Sequence, residues 1–167
     1  PHWAYRASQG FAQTVYKPIV GSLGFGSLKF DSVDLAFNAY KTLERCGQPM
    51  YIQEYLEKPS RDIRAFVVDT EVLASMYREA PPGEWKTNVA QGARVKAAQL
   101  SSELQGLVIK AVKALDLLYA GVDVLETKQG PVIVEVNGSP SWQGLQQATG
   151  VDIAGKLAEF AFNHQKK

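Results

Sequence analysis

The chain has 167 residues, of which 46% are hydrophobic and 21% charged, a composition typical of a globular protein with a real core and not of a disordered one. Eighteen basic and seventeen acidic side chains leave a formal net charge of +1. The overall electrostatic field therefore does not favour nucleic acid or an anionic membrane as a partner. The single cysteine, Cys46, excludes an internal disulfide, and no apolar run approaches the roughly 18 residues that a membrane span needs. We therefore expect a cytoplasmic protein.

The first part of the chain predicts two strands around a glycine-rich loop. Thr14 to Lys17 is expected to be a strand that stops at Pro18, because a residue before proline favours extended backbone. Residues 21–26 contain three glycines, and Ser27 to Phe30 is a second short strand. The loop is therefore predicted to connect paired strands, with Lys17 beside it.

A helix is predicted next, capped by Asp31 or Ser32 and ended by Gly47 and Pro49. Its apolar residues recur at helical spacing. They are Leu35, Ala36, Ala39, Tyr40 and Leu43.

Three strand candidates follow, at Tyr51 to Leu56, Ile63 to Val68 and Val72 to Arg78, and we expect them to form one antiparallel sheet. After a polar stretch, Ser101 or Ser102 caps a second helix that is expected to pack on this sheet. The apolar face of that helix is formed by Leu104, Leu107, Val108, Ala111, Val112 and Leu115.

The last part of the chain predicts a hairpin and a helix. Gly121 to Leu125 and Val132 to Asn137 are expected to pair around a turn at 127–130, and Asp152 begins an amphipathic helix. Together with the preceding elements, this pattern predicts an α+β fold.

The hairpin carries the most informative chemistry. Side chains two apart in a strand share a face, so Glu135 and Asn137 point the same way, and a turn near Gln129 would bring Asp123 opposite Glu135. Two neighbouring carboxylates repel each other and need a cation or strong donors, and oxygen ligands without His or Cys favour Mg²⁺. Alternatively, this is the solvated face of an antiparallel sheet, where acidic residues are common.

Other candidate residues are less specific. The glycines of the loop and Lys17 fit phosphate binding, although glycines also serve ordinary hairpin turns. Arginines 64, 78 and 94 fall on or after adjacent strands and fit a pocket for phosphate or carboxylate, although surface arginines paired with Glu are commoner.

Six segments occur in the order seen in RimK-like ATP-grasp ligases, and the chain resembles that family over nearly its whole length. The segments are Lys17 to Gly26, Tyr51 to Tyr55, Arg61 to Arg64, Lys86 to Asn88, Ala120 to Asp123 and Glu135 to Pro140. The resemblance implies an ATP-grasp fold with antiparallel sheets, packed helices and a nucleotide cleft between two subdomains. Residues 1–55 would form part of the N-terminal subdomain and residues 56–167 the C-terminal one, with a further domain expected upstream.

The resemblance also implies a role for each matching residue. Lys17, Gly21, Ser22 and Gly24 would bind the phosphates of ATP, Glu54 and Tyr55 the adenine, and Asp62 the ribose. Lys86, Thr87 and Asn88 would contact nucleotide and phosphate, while Asp123, Glu135 and Asn137 would bind Mg²⁺, with Mn²⁺ as an alternative ion. Arg64, Arg78 and Asn88 would act in catalysis, the arginines by steadying phosphate and the acyl intermediate.

The implied activity is a ligase that forms an acyl phosphate from ATP and a carboxylate and then an amide from an amino acid such as glutamate. The acceptor would be a protein C-terminus or a small molecule, and a homo-oligomer is compatible with the family. Gly138 to Leu145 resembles glutamate ligases that modify ribosomal proteins or tetrahydromethanopterin/F420-type cofactors, whereas Tyr51 to Arg64 resembles lysine-biosynthesis ligases. The alternatives are a nucleotide-binding fragment without independent catalysis, a lysine-biosynthesis-type ATP-grasp ligase, or a carboxylase or kinase-like relative.

The chain departs from the family pattern at one substrate-contacting position. Many relatives carry an arginine where this chain has Gln91, so the contact made by that arginine is in doubt. Arg94 lies three residues further on and is a candidate replacement.

Overall fold

The computed structural model describes residues 2–21 and 23–164, and the chain forms two compact units, residues 1–57 and 58–167. The helices of the described residues are α1 (His2–Ser8), α2 (Val33–Arg45), α3 (Ser102–Lys113), α4 (Gln143–Thr149) and α5 (Ile153–His164). The strands are β1 (Thr14–Lys17), β2 (Leu28–Phe30), β3 (Tyr51–Glu54), β4 (Arg61–Val68), β5 (Glu71–Glu79), β6 (Arg94–Ala97), β7 (Tyr119–Thr127) and β8 (Gly130–Asn137). The α+β class predicted from the sequence is confirmed.

The first unit consists of the antiparallel sheet β2-β1-β3 with helices α1 and α2. The predicted pairing of the strands that flank the glycine loop is confirmed. Ser32 is the cap of α2, since its side chain accepts a hydrogen bond from Leu35 N at 3.4 Å. Tyr40 is fully buried in the core of this unit, and its hydroxyl forms a hydrogen bond with the Thr14 hydroxyl at 3.0 Å.

The first unit differs from the predictions at three places. Helix α1, at residues 2–8, was not predicted. Leu35 is one of the apolar residues that recur at helical spacing in α2, but it is 61% exposed and does not belong to the buried cluster. The strand that begins at Tyr51 pairs with β1 and not with β4 or β5, because strand partners depend on chain path and not on local composition.

The second unit is built on one antiparallel sheet, whose described strands lie in the order β6-β5-β4-β7-β8. Helix α3 packs on one face, where Ile63, Val108 and Val122 belong to the same buried cluster. Ser101 caps α3 by accepting a hydrogen bond from Leu104 N at 3.2 Å. Leu115 was expected on the packed face of α3, but it lies beyond the end of the helix and is 56% exposed.

The opposite face of this sheet is divided between apolar and polar residues. At one end, α4 and α5 cover Phe66 and Met76 and contribute the buried Leu145 and Ile153. The predictions missed α4, because its segment has no helical repeat of apolar residues, and missed β6, which is a short edge strand. The rest of this face carries the charged residues Asp62, Arg64, Arg78 and Asp123.

None of the helices in the two described ranges combines the length and apolar character needed to cross a bilayer.

Candidate active site

The candidate site lies on the polar part of the second unit's sheet. In the β7–β8 hairpin, Asp123 is opposite Glu135 and Gly121 is opposite Asn137, with a bulge between Asp123 and Val124. Directly paired residues in an antiparallel ladder point to the same face. The predicted register is therefore confirmed, and Asp123, Glu135 and Asn137 share one face of the sheet.

Asp123 also lies between two arginines. Arg64 is its direct partner in β4 and donates from Nη1 to Asp123 Oδ1 at 2.6 Å. Nη2 of Arg78, on β5, is 3.0 Å from the second oxygen of the same carboxylate. Both arginines are more than 90% buried, so these are not the surface ion pairs that the alternative interpretation proposed.

Asp62 holds Arg78 from the other side. Nε and Nη2 of Arg78 donate to the two Asp62 oxygens at 2.7 and 2.8 Å, a bidentate pair, and the Thr87 hydroxyl donates to Oδ2 of the same carboxylate. Asp62 and Thr87 are only 5% and 6% exposed. Asp62 and Thr87 thus contact each other inside the protein, and the expected contacts of Asp62 with a ribose and of Thr87 with a phosphate stay predictions.

The network formed by Asp62, Arg64, Arg78 and Asp123 has two positive and two negative charges. Burial by itself lowers the pKa of Arg78, but the charge of Asp123 and the hydrogen bonds donated to Asp62 and Asp123 outweigh burial and raise it above its ordinary value. Arg78 therefore stays protonated, and the network is neutral overall. Glu135 adds an uncompensated negative charge to this face, which favours a cation there.

The oxygen atoms of this face fit Mg²⁺. Glu135 is exposed and makes no ion pair within the described residues, so its carboxylate is available. Asp123 accepts from both arginines, yet a carboxylate has about four acceptor positions, which leaves capacity for a metal. Asn137 Oδ1 accepts from Ser139 N at 2.9 Å, which orients the amide. The described residues contain no cluster of three His, Cys, Asp or Glu suited to a metal, so protein ligation would come from two carboxylates and one amide, a set Mg²⁺ completes with phosphate and water.

The loop before β6 carries the remaining candidates of this unit. Lys86 Nζ lies 5.4 Å from the centre of the Trp85 ring, and half-buried Asn88 precedes a 3₁₀ turn at Val89–Gln91. Arg94 pairs with Glu79, one position away from the pair of Val95 with Arg78. Alternation along the strand therefore directs Arg94 to the opposite face of the sheet. The expectation that Arg94 shares a pocket with Arg64 and Arg78 was wrong.

Lys58 was not predicted from the sequence. Its Nζ donates to the carbonyl oxygens of Pro59 and Arg61 at 3.4 and 3.2 Å, and its pKa is lowered by burial and by Arg78, against the attraction of Asp62. The local sequence around Lys58 does not indicate that it lies beside the charged network, because only strand pairing brings Asp62 and Arg78 together near it.

In the first unit, Lys17 is half-buried at the end of β1, opposite Tyr51 of β3. The loop that follows contains Gly21 and Gly24, while Ser22 lies outside the described residues. The loop folds back on Pro18, and Gly26 has a φ of 77°, which a side chain would strain.

Tyr55, one of the two residues expected to hold adenine, follows directly after β3. Its backbone N–H donates to Gln13 O at 2.9 Å, and Lys29 Nζ lies 4.3 Å from the centre of its ring. Glu54, the other, is exposed at the last position of the strand.

Comparisons with known proteins agree on one family. The family model of the RimK-like ATP-grasp domain matches residues 10–161. The chain is 40% identical over 163 residues to a tetrahydromethanopterin:alpha-L-glutamate ligase of Methanocaldococcus jannaschii, covering 93% of this chain and 55% of the relative. It is 35% identical over 152 residues to a probable alpha-L-glutamate ligase of Trichodesmium erythraeum, covering 90% and 51%.

The fold is also that of solved ATP-grasp ligases. The structure of the ATP-grasp ligase PsnB complexed with minimal precursor, Mg and ADP has a TM-score of 0.77 and 25% identity, and the match covers 100% of this chain and 51% of PsnB. The chain therefore spans about half the length of the relatives that it matches.

Proposed function

Because the chain belongs to the RimK-like ATP-grasp family, we propose that it provides magnesium- and phosphate-binding residues of an ATP-dependent ligase that joins a carboxylate to the amine of glutamate. The observation that carries the proposal is the pairing of Asp123 with Glu135, with Asn137 on the same face. Glutamate is proposed as the amine because the curated relatives are named alpha-L-glutamate ligases. The acceptor is proposed to be a carboxylate of a protein C-terminus or a small molecule.

In the proposed reaction, a carboxylate oxygen of the acceptor attacks the γ-phosphorus of ATP, and ADP leaves. The amine of glutamate then attacks the acyl carbon, phosphate leaves, and the nitrogen loses a proton to form the amide. No protein nucleophile is required, so catalysis consists of positioning the reactants and stabilising negative charge. Bound Mg²⁺ would supply charge neutralisation on the phosphate oxygens.

The two buried arginines are suited to that stabilising role. In the described residues Arg64 gives one of its five N–H donors to Asp123, which leaves others for a phosphate or an acyl oxygen. Arg64 and Arg78 are both buried, so their charges lie in a poorly solvated environment. There they act more strongly on a transferring group than they would in water. Asp62 and Asp123 keep both guanidinium groups in place before substrate binds.

The remaining nucleotide contacts are proposed from the family pattern. Lys17 and the loop residues Gly21, Ser22 and Gly24 would bind phosphate, and Glu54 with Tyr55 would bind adenine. Lys86 and Asn88, which belong to the second unit, would also contact phosphate.

Metal-dependent nucleotide binding tests the proposal directly. Glu135→Gln removes an exposed charge without disturbing the arginine network, and we expect it to weaken Mg-ATP binding at least about tenfold in calorimetry. The matched control is Glu126→Gln on the paired strand β7, because Glu126 bonds Arg61 at 2.8 Å on the opposite face. Equal affinity of the Glu135 variant and the control would contradict the metal site.

Turnover tests the reaction itself. We expect ADP release by the purified protein to require both glutamate and an acceptor carboxylate. Mg-ATP binding without any amine-dependent release would restrict the role of this chain to nucleotide binding, and release with bicarbonate alone would favour a carboxylase.

A further inference from the structure

Gly121 is buried in β7, opposite Phe66 of β4 and Asn137 of β8. A Cβ at this position would lie 2.5 Å from both Cζ and Nη2 of Arg64, and 2.8 Å from Nε. Real Cβ atoms essentially never approach other heavy atoms within 3.0 Å. The Arg64 guanidinium therefore occupies the space that any other residue at 121 would need for its side chain.

The backbone does not explain this glycine. The φ of Gly121 lies outside the left-handed region, so an alanine would adopt the same conformation without strain. Glycine also weakens a strand interior, since it has no side chain to pack, and its presence there often marks a close approach by another group. Here the approaching group is the Arg64 side chain.

The contact constrains where the guanidinium can lie. Arg64 is paired directly with Asp123, and Gly121 is two residues earlier on the same strand and face, so the side chain leans along the ladder over Gly121 while Nη1 bonds Asp123. Arg64 is 7% exposed, and the neighbouring Phe66 and Met76 are buried as well. Because buried residues surround the Arg64 side chain, a methyl group added at Gly121 would displace the guanidinium from its position on Asp123.

We propose that Gly121 is a positioning residue of the candidate active site: because it has no side chain, it leaves the space in which the Arg64 guanidinium lies while bonded to the Asp123 carboxylate. The effect on catalysis rests on the proposed function, in which Arg64 stabilises the transferring group. The contact between Gly121 and Arg64 does not depend on that function.

The test is a double-substitution cycle of Gly121→Ala and Arg64→Ala, with Gly106→Ala as the control. Gly106 lies in α3, where a Cβ meets nothing within 4 Å, so its substitution should leave melting temperature and activity unharmed. Gly121→Ala is expected to lower the melting temperature by about 3–10 °C, because the added methyl group moves the Arg64 guanidinium away from its buried ion pair with Asp123. In the Arg64→Ala background the same substitution should cause no loss, because the clashing atoms are gone.

Turnover gives the second readout. A displacement on the order of 1 Å is expected to reduce kcat about 100-fold, and the loss from Gly121→Ala should not add to that from Arg64→Ala. Additive losses in both melting temperature and kcat would overturn the proposal. If Gly121→Ala fails to fold, recovery of folding in the double variant supports the contact, and failure of the double variant as well overturns it.

The two proposals can fail separately. If the unsubstituted protein shows no turnover with any acceptor, the proposed function fails, and the melting-temperature cycle still decides whether Gly121 positions Arg64. If turnover is normal in Gly121→Ala while Arg64→Ala is inactive, the positioning role is wrong and the proposed function stands.

Discussion

Asp62 is a buried carboxylate whose two oxygens accept from Arg78, while one of them also accepts from Thr87. Removing the Asp62 charge leaves the buried network with one uncompensated positive charge, because Asp123 alone then faces both arginines. An uncompensated buried charge costs more than an ion pair itself contributes. The role of Asp62 is thus to hold Arg78 and to connect the loop at Thr87 to the sheet.

Asp62→Asn is therefore expected to lower the free energy of unfolding by about 3–5 kcal/mol, measured by urea denaturation. The control is Glu159→Gln, which breaks an exposed pair with Lys156 at 3.8 Å and should cost less than about 1 kcal/mol. Weaker nucleotide binding with unchanged stability would instead support the ribose role predicted for Asp62.

Lys58 makes the stability of the protein depend on pH. Burial and the nearby Arg78 lower its pKa below the ordinary value of 10.5, despite the attraction of Asp62, so the unfolded chain binds the proton more tightly. Between the folded pKa and 10.5, the unfolded state holds more protons, and stability therefore rises with pH and reaches its full value above 10.5.

Lys58→Met is expected to abolish this rise. The measurement is the urea midpoint of both proteins from neutral pH to the ordinary lysine value of 10.5. The difference between the two proteins isolates Lys58 from other groups that titrate in alkali, such as Tyr40. A difference that is constant over this range would contradict the lowered pKa.

At the scale of elements, α4 attaches to the sheet on the same face as the charged network. Its Leu145 is fully buried in a cluster with Phe66 and Met76, and Phe66 also contacts the Trp142 ring in an edge-on geometry at 6.4 Å. Phe66 and Met76 flank Arg64 on its own strand and on β5. Packing of α4 therefore supports the face on which the candidate site lies.

Leu145→Ala is expected to destabilise the protein by about 2–5 kcal/mol, because it removes a buried side chain and leaves a cavity. Leu115→Ala is the matched control, since Leu115 is 56% exposed and surface substitutions usually change stability by less than about 0.5 kcal/mol. Thermal unfolding of both variants checks the difference. Similar losses for the two leucines would mean that α4 does not pack as described.

At the scale of the whole molecule, the two units differ in the size of their cores. The described buried cluster of the first unit contains Ala4, Tyr16, Phe30, Ala36 and Tyr40, whereas the second unit has separate clusters on both faces of its sheet. A unit of 57 residues buries a smaller fraction of its surface than a larger one and is correspondingly less stable.

We therefore expect the first unit to open more readily in hydrogen exchange. The central strands β1 and β4 provide a matched comparison, since each is paired on both sides in its own sheet. Amides of Thr14–Lys17 should exchange faster than those of Arg61–Val68 under native conditions. Equal protection would mean that the two units unfold in one cooperative step.

Local pattern was sufficient for much of the fold. Alternation predicted β7 and β8. The turn that pairs Thr127 with Gly130 would by itself place Val134 opposite Asp123, and the bulge between Asp123 and Val124 shifts the register so that Glu135 takes this position. Helical spacing and capping residues predicted α2 and α3, and the order of the six family segments indicated the ATP-grasp family. These features depend on residues close together in sequence, where periodicity and turn length restrict the geometry.

The arginine network was decided only by the tertiary structure. Arg64 and Asp123 are 59 residues apart, and Thr87 is 25 residues from Asp62, so their contacts depend on β4 lying between β5 and β7. Strand order is set by the path of the whole chain, and no local spacing encodes it. The same holds for Gly121, because a glycine in a strand shows only that some group comes close, while the sheet determined that this group is Arg64.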